Sequence, residues 1–181
     1  MFNQTYIISD NIDMINYAKE NNYQTFNFYG IDANGNDVTI DNGTSTLAQT
    51  DFKSPYPVEG EVGTVTTTIG EYCFSGVSST LSALTICNAV TTIEHEAFME
   101  TSLLTTLTIP ASVTGSSTNL FLRDTNLKEV HFEGTTPPAL GADAFKNCTS
   151  LQKIYIPSCD SYDAYAANAQ FSAYTDLIYA E

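Results

Sequence analysis

The chain has 181 residues, and 43% of them are hydrophobic, enough to bury a core and too many for wholesale disorder. Six Lys and Arg stand against 21 Asp and Glu, a formal charge of −15 that repels phosphate backbones and anionic lipid head groups. That balance excludes general nucleic-acid binding and polybasic membrane attachment, and no window of about 18 apolar residues offers membrane insertion.

Met1 to Ile8 carry no basic stretch and no long apolar run, so they do not read as a secretory signal. Ser9 or Asp10 can cap a short helix through Lys19, with Ile12, Ile15 and Ala18 or Lys19 on one stripe, ended by Asn21 and Asn22. Tyr23 to Ile31 and Val38 to Ile40 flank Asn34-Gly35, the strongest hairpin signal in the chain, with both turn residues expected at positive φ. Asp32, Asn34 and Asn36 imitate the start of a calcium loop, but Asp37 stands where that loop needs Gly and Gly43 where it needs Glu. A hairpin turn is the better reading. A polar stretch runs from Asp41 to Ser54, Pro55 and Pro57 start a connector, and Val58 to Val65 read as a degenerate strand, since Val62 lies 24 residues before Ile86.

The second half repeats. Leu81, Leu84 and Ile86 are followed at the same offsets by Leu104, Leu107 and Ile109, then Leu127, Val130 and Phe132, then Leu151, Ile154 and Ile156. The last residues of these blocks are spaced 23, 23 and 24, and the aromatics Phe74, Phe98, Phe121 and Phe145 keep step with them. Ile69, Ile93 and Leu140 stand five residues before three of those aromatics; Ser116 is the departure. The last two apolar residues of each block alternate, which points them to one face of a short strand. Such a strand cannot stand alone, so neighbours must stack in parallel and share ladder hydrogen bonds. The aromatic closes the core from the opposite limb. Gly70, Gly76, Gly141 and Asn147 are expected at tight corners with positive φ, and Pro110 and Pro157 end their strands.

Beyond Pro157, Asp160 or Ser161 can cap a helix bearing Tyr162, Tyr165, Ala166 and Ala169 on one stripe. The expectation over 160–174 is a short helix or two turns lying on the last repeat, with Phe171, Tyr174, Leu177 and Ile178 extending the apolar supply.

The stretches Ile69 to Gly76, Ala97 to Val113 and Ala144 to Pro157 resemble BspA-type leucine-rich repeats, and the tail from Pro157 to Ile178 resembles the closing segment of that family. The resemblance covers roughly residues 65–157. It implies an α/β or mainly β repeat solenoid: a right-handed stack of short parallel strands with an N-terminal β-hairpin/helix cap and a C-terminal helical cap. Residues 1–64 are then a cap or small β-region, 65–157 carry four repeats of 23–24 residues, and 158–181 close the stack. It further implies an extracellular or cell-surface protein, its export signal removed, that serves adhesion or protein binding, and it brings no enzymatic residues.

Candidate chemistry is thin. His95 and Glu96 lack the second histidine of a zinc-protease motif, and His95 falls at a loop position where a solvated side chain is expected. Cys73, Cys87, Cys148 and Cys159 show no metal-binding spacing and are expected as free thiols. The sequons at Asn3, Asn42 and Asn147 are unremarkable in a chain rich in Asn and Thr. Alternation instead picks out the exposed strand positions: Ala83, Thr85 and Cys87; Thr106, Thr108 and Pro110; Glu129, His131 and Glu133; Lys153, Tyr155 and Pro157. The first two sets are bland. Glu129, His131, Glu133, Lys153 and Tyr155 form the candidate ligand-binding patch, because an exposed Tyr among charges makes a good interface anchor. The expected function is a non-enzymatic module, monomeric and without cofactor or metal, that recognises a protein or glycan such as host extracellular matrix. The alternative is a structural spacer within a larger surface protein.

Overall fold

The computed structural model describes residues 28–40, 46–52, 56–63, 66–75, 79–116 and 118–181. The helix expected up to Lys19, the start of the first hairpin strand and Gly76 lie outside them. The strands in chain order are β1 (Phe28–Ile31), β2 (Asp37–Ile40), β3 (Thr46–Leu47), β4 (Glu59–Val62), β5 (Thr68–Ile69), β6 (Ala83–Ile86), β7 (Thr92–Ile93), β8 (Thr106–Ile109), β9 (Gly115–Ser116), β10 (Glu129–Phe132), β11 (Lys153–Ile156) and β12 (Ile178–Ala180).

β1 and β2 form the expected antiparallel hairpin, with Ile31 opposite Asp37. Its turn is built by buried Asp32, whose carboxylate accepts the amides of Asn34 and Asn36 at 2.8 and 2.9 Å. Those bonds, the Asn36 amide foremost, hold the Asp32 carboxyl below its ordinary range. Gly35 is left-handed at φ +81°, whereas Asn34 is not, because an Asx turn and a single left-handed glycine suffice to reverse the chain. β1 also pairs antiparallel with β4, so the hairpin occupies one edge of the strand stack.

The leucine blocks stack in parallel. Val62 pairs with Ile86, Ile109 with Phe132, Val130 with Ile154 and Ile154 with Ile178. In β6, β8, β10 and β11 every second residue is buried, as a two-residue period requires. The stacked rungs form two four-stranded sheets, β2-β1-β4-β6 and β12-β11-β10-β8. β6 and β8 touch where these sheets meet but share no ladder. A third sheet of two-residue strands, β3-β5-β7-β9, lines another limb, with Leu47, Ile69, Ile93 and Ser116 in register. Ser116, the apparent departure in sequence, keeps its place in this ladder.

Behind the strands the phenylalanines stack face to face. Phe74, Phe98, Phe121 and Phe145 follow one another at 5.2, 5.8 and 5.4 Å with interplanar angles of 3°, 14° and 11°. All four are buried. One turn of chain per ring sets this spacing, which falls in the range where aromatic pairs attract.

The corners depart from expectation. Asn147 is left-handed, but Gly70 and Gly141 are not; the other left-handed residues of the repeats are Tyr72, Glu96, Glu100, Asn119, Arg123 and Asp143. The amides of Tyr72, Glu96, Glu100, Asn119 and Arg123 all donate to a carbonyl in the next turn, to His95, Thr118, Leu122, Ala142 and Lys146 respectively. Stacking between turns thus imposes a conformation that Tyr, Glu and Arg do not favour locally. The two glycines serve close approach instead. A Cβ on Gly70 would lie 2.9 Å from Leu47 O, and one on Gly141 would lie 2.7 Å from Thr118 Cα. Pro110, expected outward, is buried at its strand end.

The C-terminal segment forms a 3-10 turn at Cys159–Ser161, helix α1 (Tyr162–Ala167) and a 3-10 stretch at Ser172–Leu177 before β12. Tyr165 and Phe171 are fully buried against Phe132, and the Tyr165 hydroxyl donates to Gly134 O at 2.8 Å. Tyr162 faces solvent because six helical residues bury only one position of the expected stripe. Ser161 holds the N-cap position, yet its hydroxyl bonds Ser158 and leaves the helix amides alone.

Candidate functional site

Alternation and register together place the candidate patch. Glu129 lies between Thr106 and Lys153 on neighbouring strands, and His131 lies between Thr108 and Tyr155. Tyr155 in turn pairs with Tyr179 of β12. The second row is therefore a column of Thr108, His131, Tyr155 and Tyr179 across the exposed strand face.

The side chains interlock. The His131 and Tyr155 rings stack at 4.4 Å and 23°, and Tyr155 meets Tyr179 at 6.2 Å. His131 Nδ1 lies 2.7 Å from Glu181 Oε1, and its Nε2 lies 3.9 Å from Glu129 Oε2. Lys153 Nζ donates to Tyr155 Oη at 2.9 Å, stands 3.9 Å from Glu129 Oε1, and sits over the Tyr155 and Tyr179 rings at 5.4 and 5.8 Å. The bond to Tyr155, foremost, holds the Lys153 ammonium above its ordinary pKa. Four of the five candidate residues are thus one contiguous group. Glu133 stands apart at the strand end; among the described residues its exposed carboxylate meets none of the other four.

Tyr179 and Glu181 complete the group and were not singled out from sequence. A signal was present, since Ile178 lies 24 residues after Ile154 and so begins one more rung.

A cavity of about 320 Å3 beside the patch is lined by Thr108, His131, Glu133 and Glu181 among others. Such a surface can offer carboxylates, an ammonium, a phenol and an imidazole edge to a ligand. Among the described residues no three His, Cys, Asp or Glu side chains converge as a metal ion requires. His95 is tied down instead of solvated. Its Nδ1 lies 2.7 Å from Thr118 Oγ1 and its Nε2 lies 3.3 Å from Glu96. All four thiols are free, Cys73 in the core and Cys148 donating to Phe121 O at 2.9 Å. Burial pushes the Cys148 thiol up to about 12, with the nearby Asp124 adding to the shift.

The family profile described as BspA type leucine rich repeat region matches residues 45–172 in six copies. Among solved structures, a leucine-rich repeat protein from Eubacterium ventriosum is similar with a TM-score of 0.53 at 23% identity. The match covers 75% of this chain and 35% of that one, so the present chain spans about a third of that protein's length, and the likeness is one of fold. Comparison with curated proteins found no match.

Proposed function

The chain belongs to the BspA-type leucine-rich repeat family, and from that premise we propose that it is a non-enzymatic binding module that recognises a protein or glycan through its exposed strand face. The family is in general a non-catalytic interaction scaffold, and its members are typically bacterial surface or secreted proteins. In this reading the stack is right-handed, residues 1–64 and 158–181 cap its ends, and the protein works as a monomer outside the cell. The observation that carries the proposal is the contiguity of Glu129, His131, Lys153 and Tyr155, joined by Tyr179 and Glu181, while Glu133 lies apart at the strand end. Exposed aromatics among paired charges are the composition of interface hot spots.

The test is surface plasmon resonance against immobilised extracellular-matrix proteins and glycans, with the wild type and the Tyr155→Ala/His131→Ala double variant compared. Loss of affinity in the folded double variant supports the patch, and unchanged affinity removes it. A spacer role is the second reading, favoured by the bland exposed threonines Thr85, Thr106 and Thr108. It predicts that no ligand on the panel is retained.

A further inference from the structure

Two residues beyond β5, β7 and β9 stand Glu71, His95 and Thr118, the same corner of successive turns. Stacking lays an imidazole beside a hydroxyl here, between His95 and Thr118. The following corner position holds Tyr72, Glu96 and Asn119, all left-handed. Backbone bonds keep the corners in step. The Tyr72 amide donates to His95 O at 3.0 Å, the Glu96 amide to Thr118 O at 3.3 Å and the Asn119 amide to Ala142 O at 3.1 Å.

The side chains form a series. His95 Nδ1 lies 2.7 Å from Thr118 Oγ1 and 3.1 Å from Thr118 O. His95 Nε2 lies 3.3 Å from Glu96 Oε1, which also accepts from Asn119 Nδ2 at 2.9 Å. The Tyr72 ring stands edge-on to the imidazole at 5.6 Å and 82°. An ionised carboxylate can only accept, so Glu96 fixes the His95 proton on Nε2 and leaves Nδ1 to accept from the Thr118 hydroxyl. The Glu96 and His95 side chains are 13% and 29% exposed, whereas Thr118 faces solvent. The series is sheltered at its carboxylate and open at its hydroxyl.

We infer that Thr118 is a self-acylating residue, whose hydroxyl takes the acyl group of an activated ester with His95 as general base and Glu96 positioning the imidazole. A hydroxyl, an imidazole and a carboxylate in hydrogen-bonded series are the parts of an activated oxygen nucleophile. Thr118 Oγ1 attacks the ester carbonyl carbon, and its proton passes to His95 Nδ1. The new N–H faces Thr118 O, so a carbonyl that does nothing for the neutral imidazole stabilises the protonated one. The bond from the acyl carbon to the leaving oxygen breaks, and Nδ1 passes the proton to that oxygen. Glu96 keeps its charge throughout. Among the described residues the Thr118 amide meets no acceptor, which leaves its N–H available to the developing oxyanion. The product is acyl-Thr118, a stoichiometric modification and not a turnover. It goes beyond the binding-module reading and uses none of the strand-face patch.

The probe is p-nitrophenyl acetate. Release of p-nitrophenolate gives the rate, and peptide mapping in acid locates the acetyl group. The expected result is acetylation at Thr118 while the exposed Thr85 and Thr106 stay unlabelled. Thr118→Val should abolish the label at this position, and Thr118→Ser, which keeps the hydroxyl, should retain it. His95→Gln should slow labelling about a hundredfold. Glu96→Gln should slow it about tenfold, and Glu96→Asp, which restores the carboxylate, should recover most of that loss. Melting curves restrict the comparison to folded variants. Acetyl groups on lysines alone, equal labelling of the exposed threonines, or labelling of Thr118 as fast in folded His95→Gln or Glu96→Gln as in the wild type would overturn the inference.

Discussion

Thr101 and Asp124 occupy the same buried column one turn apart, and the Thr101 amide donates to Asp124 Oδ1 at 2.5 Å. Among the described residues Asp124 Oδ2 meets no hydrogen-bond partner. Burial pushes this carboxyl up to about 8, against the lowering effect of the Thr101 bonds, and Glu100 adds to the rise. The folded chain therefore keeps a proton that the unfolded chain releases near the ordinary value of 3.8. Its stabilising effect is full below that value and is lost as pH rises towards the folded value, after which this group contributes no further slope. Urea unfolding at pH 5 to 9 should show stability falling by at most about 1.4 kcal/mol per pH unit up to the folded pKa from this source. Asp124→Asn should remove that component. An identical pH slope in the variant would show that Asp124 is ionised in the folded state.

Phe98 has a parallel ring on each side, Phe74 and Phe121, and no exposure. Phe98→Ala should cost about 3–5 kcal/mol of unfolding free energy, since it deletes transfer free energy and leaves a cavity shared by two turns. Thr106→Ala on the exposed face should change stability by less than about 0.5 kcal/mol. Urea denaturation of both variants checks the contrast, and comparable effects would mean that the phenylalanine column does not organise the core.

Two glycines separate conformational from steric need. Gly35 is left-handed with open space where a side chain would sit, whereas a Cβ on Gly141 would meet Thr118 Cγ2, Cα and N at 2.6, 2.7 and 2.8 Å. Gly35→Ala should cost about 1–2 kcal/mol, and Gly35→Asn less, because asparagine tolerates that backbone. Gly141→Ala should cost about 1–3 kcal/mol through overpacking, and Gly141→Asn more. Thermal melts rank the four variants. Asn milder than Ala at position 141 would refute the steric account.

The parallel rungs were legible because spacing and alternation report burial directly. The same period extended to Ile178 and would have found Tyr179 and Glu181 if continued past the last leucine block. The β3-β5-β7-β9 ladder was hidden because two residues per turn are too few to show alternation. Left-handed Asn119 and Asn147 agree with residue preference, but Tyr72, Glu96, Glu100 and Arg123 are placed there by bonds to the next turn, which no local pattern carries. The break between β6 and β8 was invisible for a related reason. Pro110 has a counterpart in Pro157, whose strand still pairs with β10, so one missing donor does not by itself open a sheet.

Lys153 and Tyr155 provide a direct probe of the patch. The Lys153 ammonium is held above its ordinary pKa first by its bond to the Tyr155 hydroxyl, with Glu129 contributing less. Tyr155→Phe keeps the ring against His131 and removes only the hydroxyl, so the Lys153 pKa should fall towards its ordinary value while the fold is unchanged. Glu129→Gln should lower it by a smaller amount. NMR titration of the lysine side-chain carbon signals reads both shifts. A Lys153 pKa that stays put in Tyr155→Phe would mean that the ammonium swings free in solution and that the patch is a set of independent side chains.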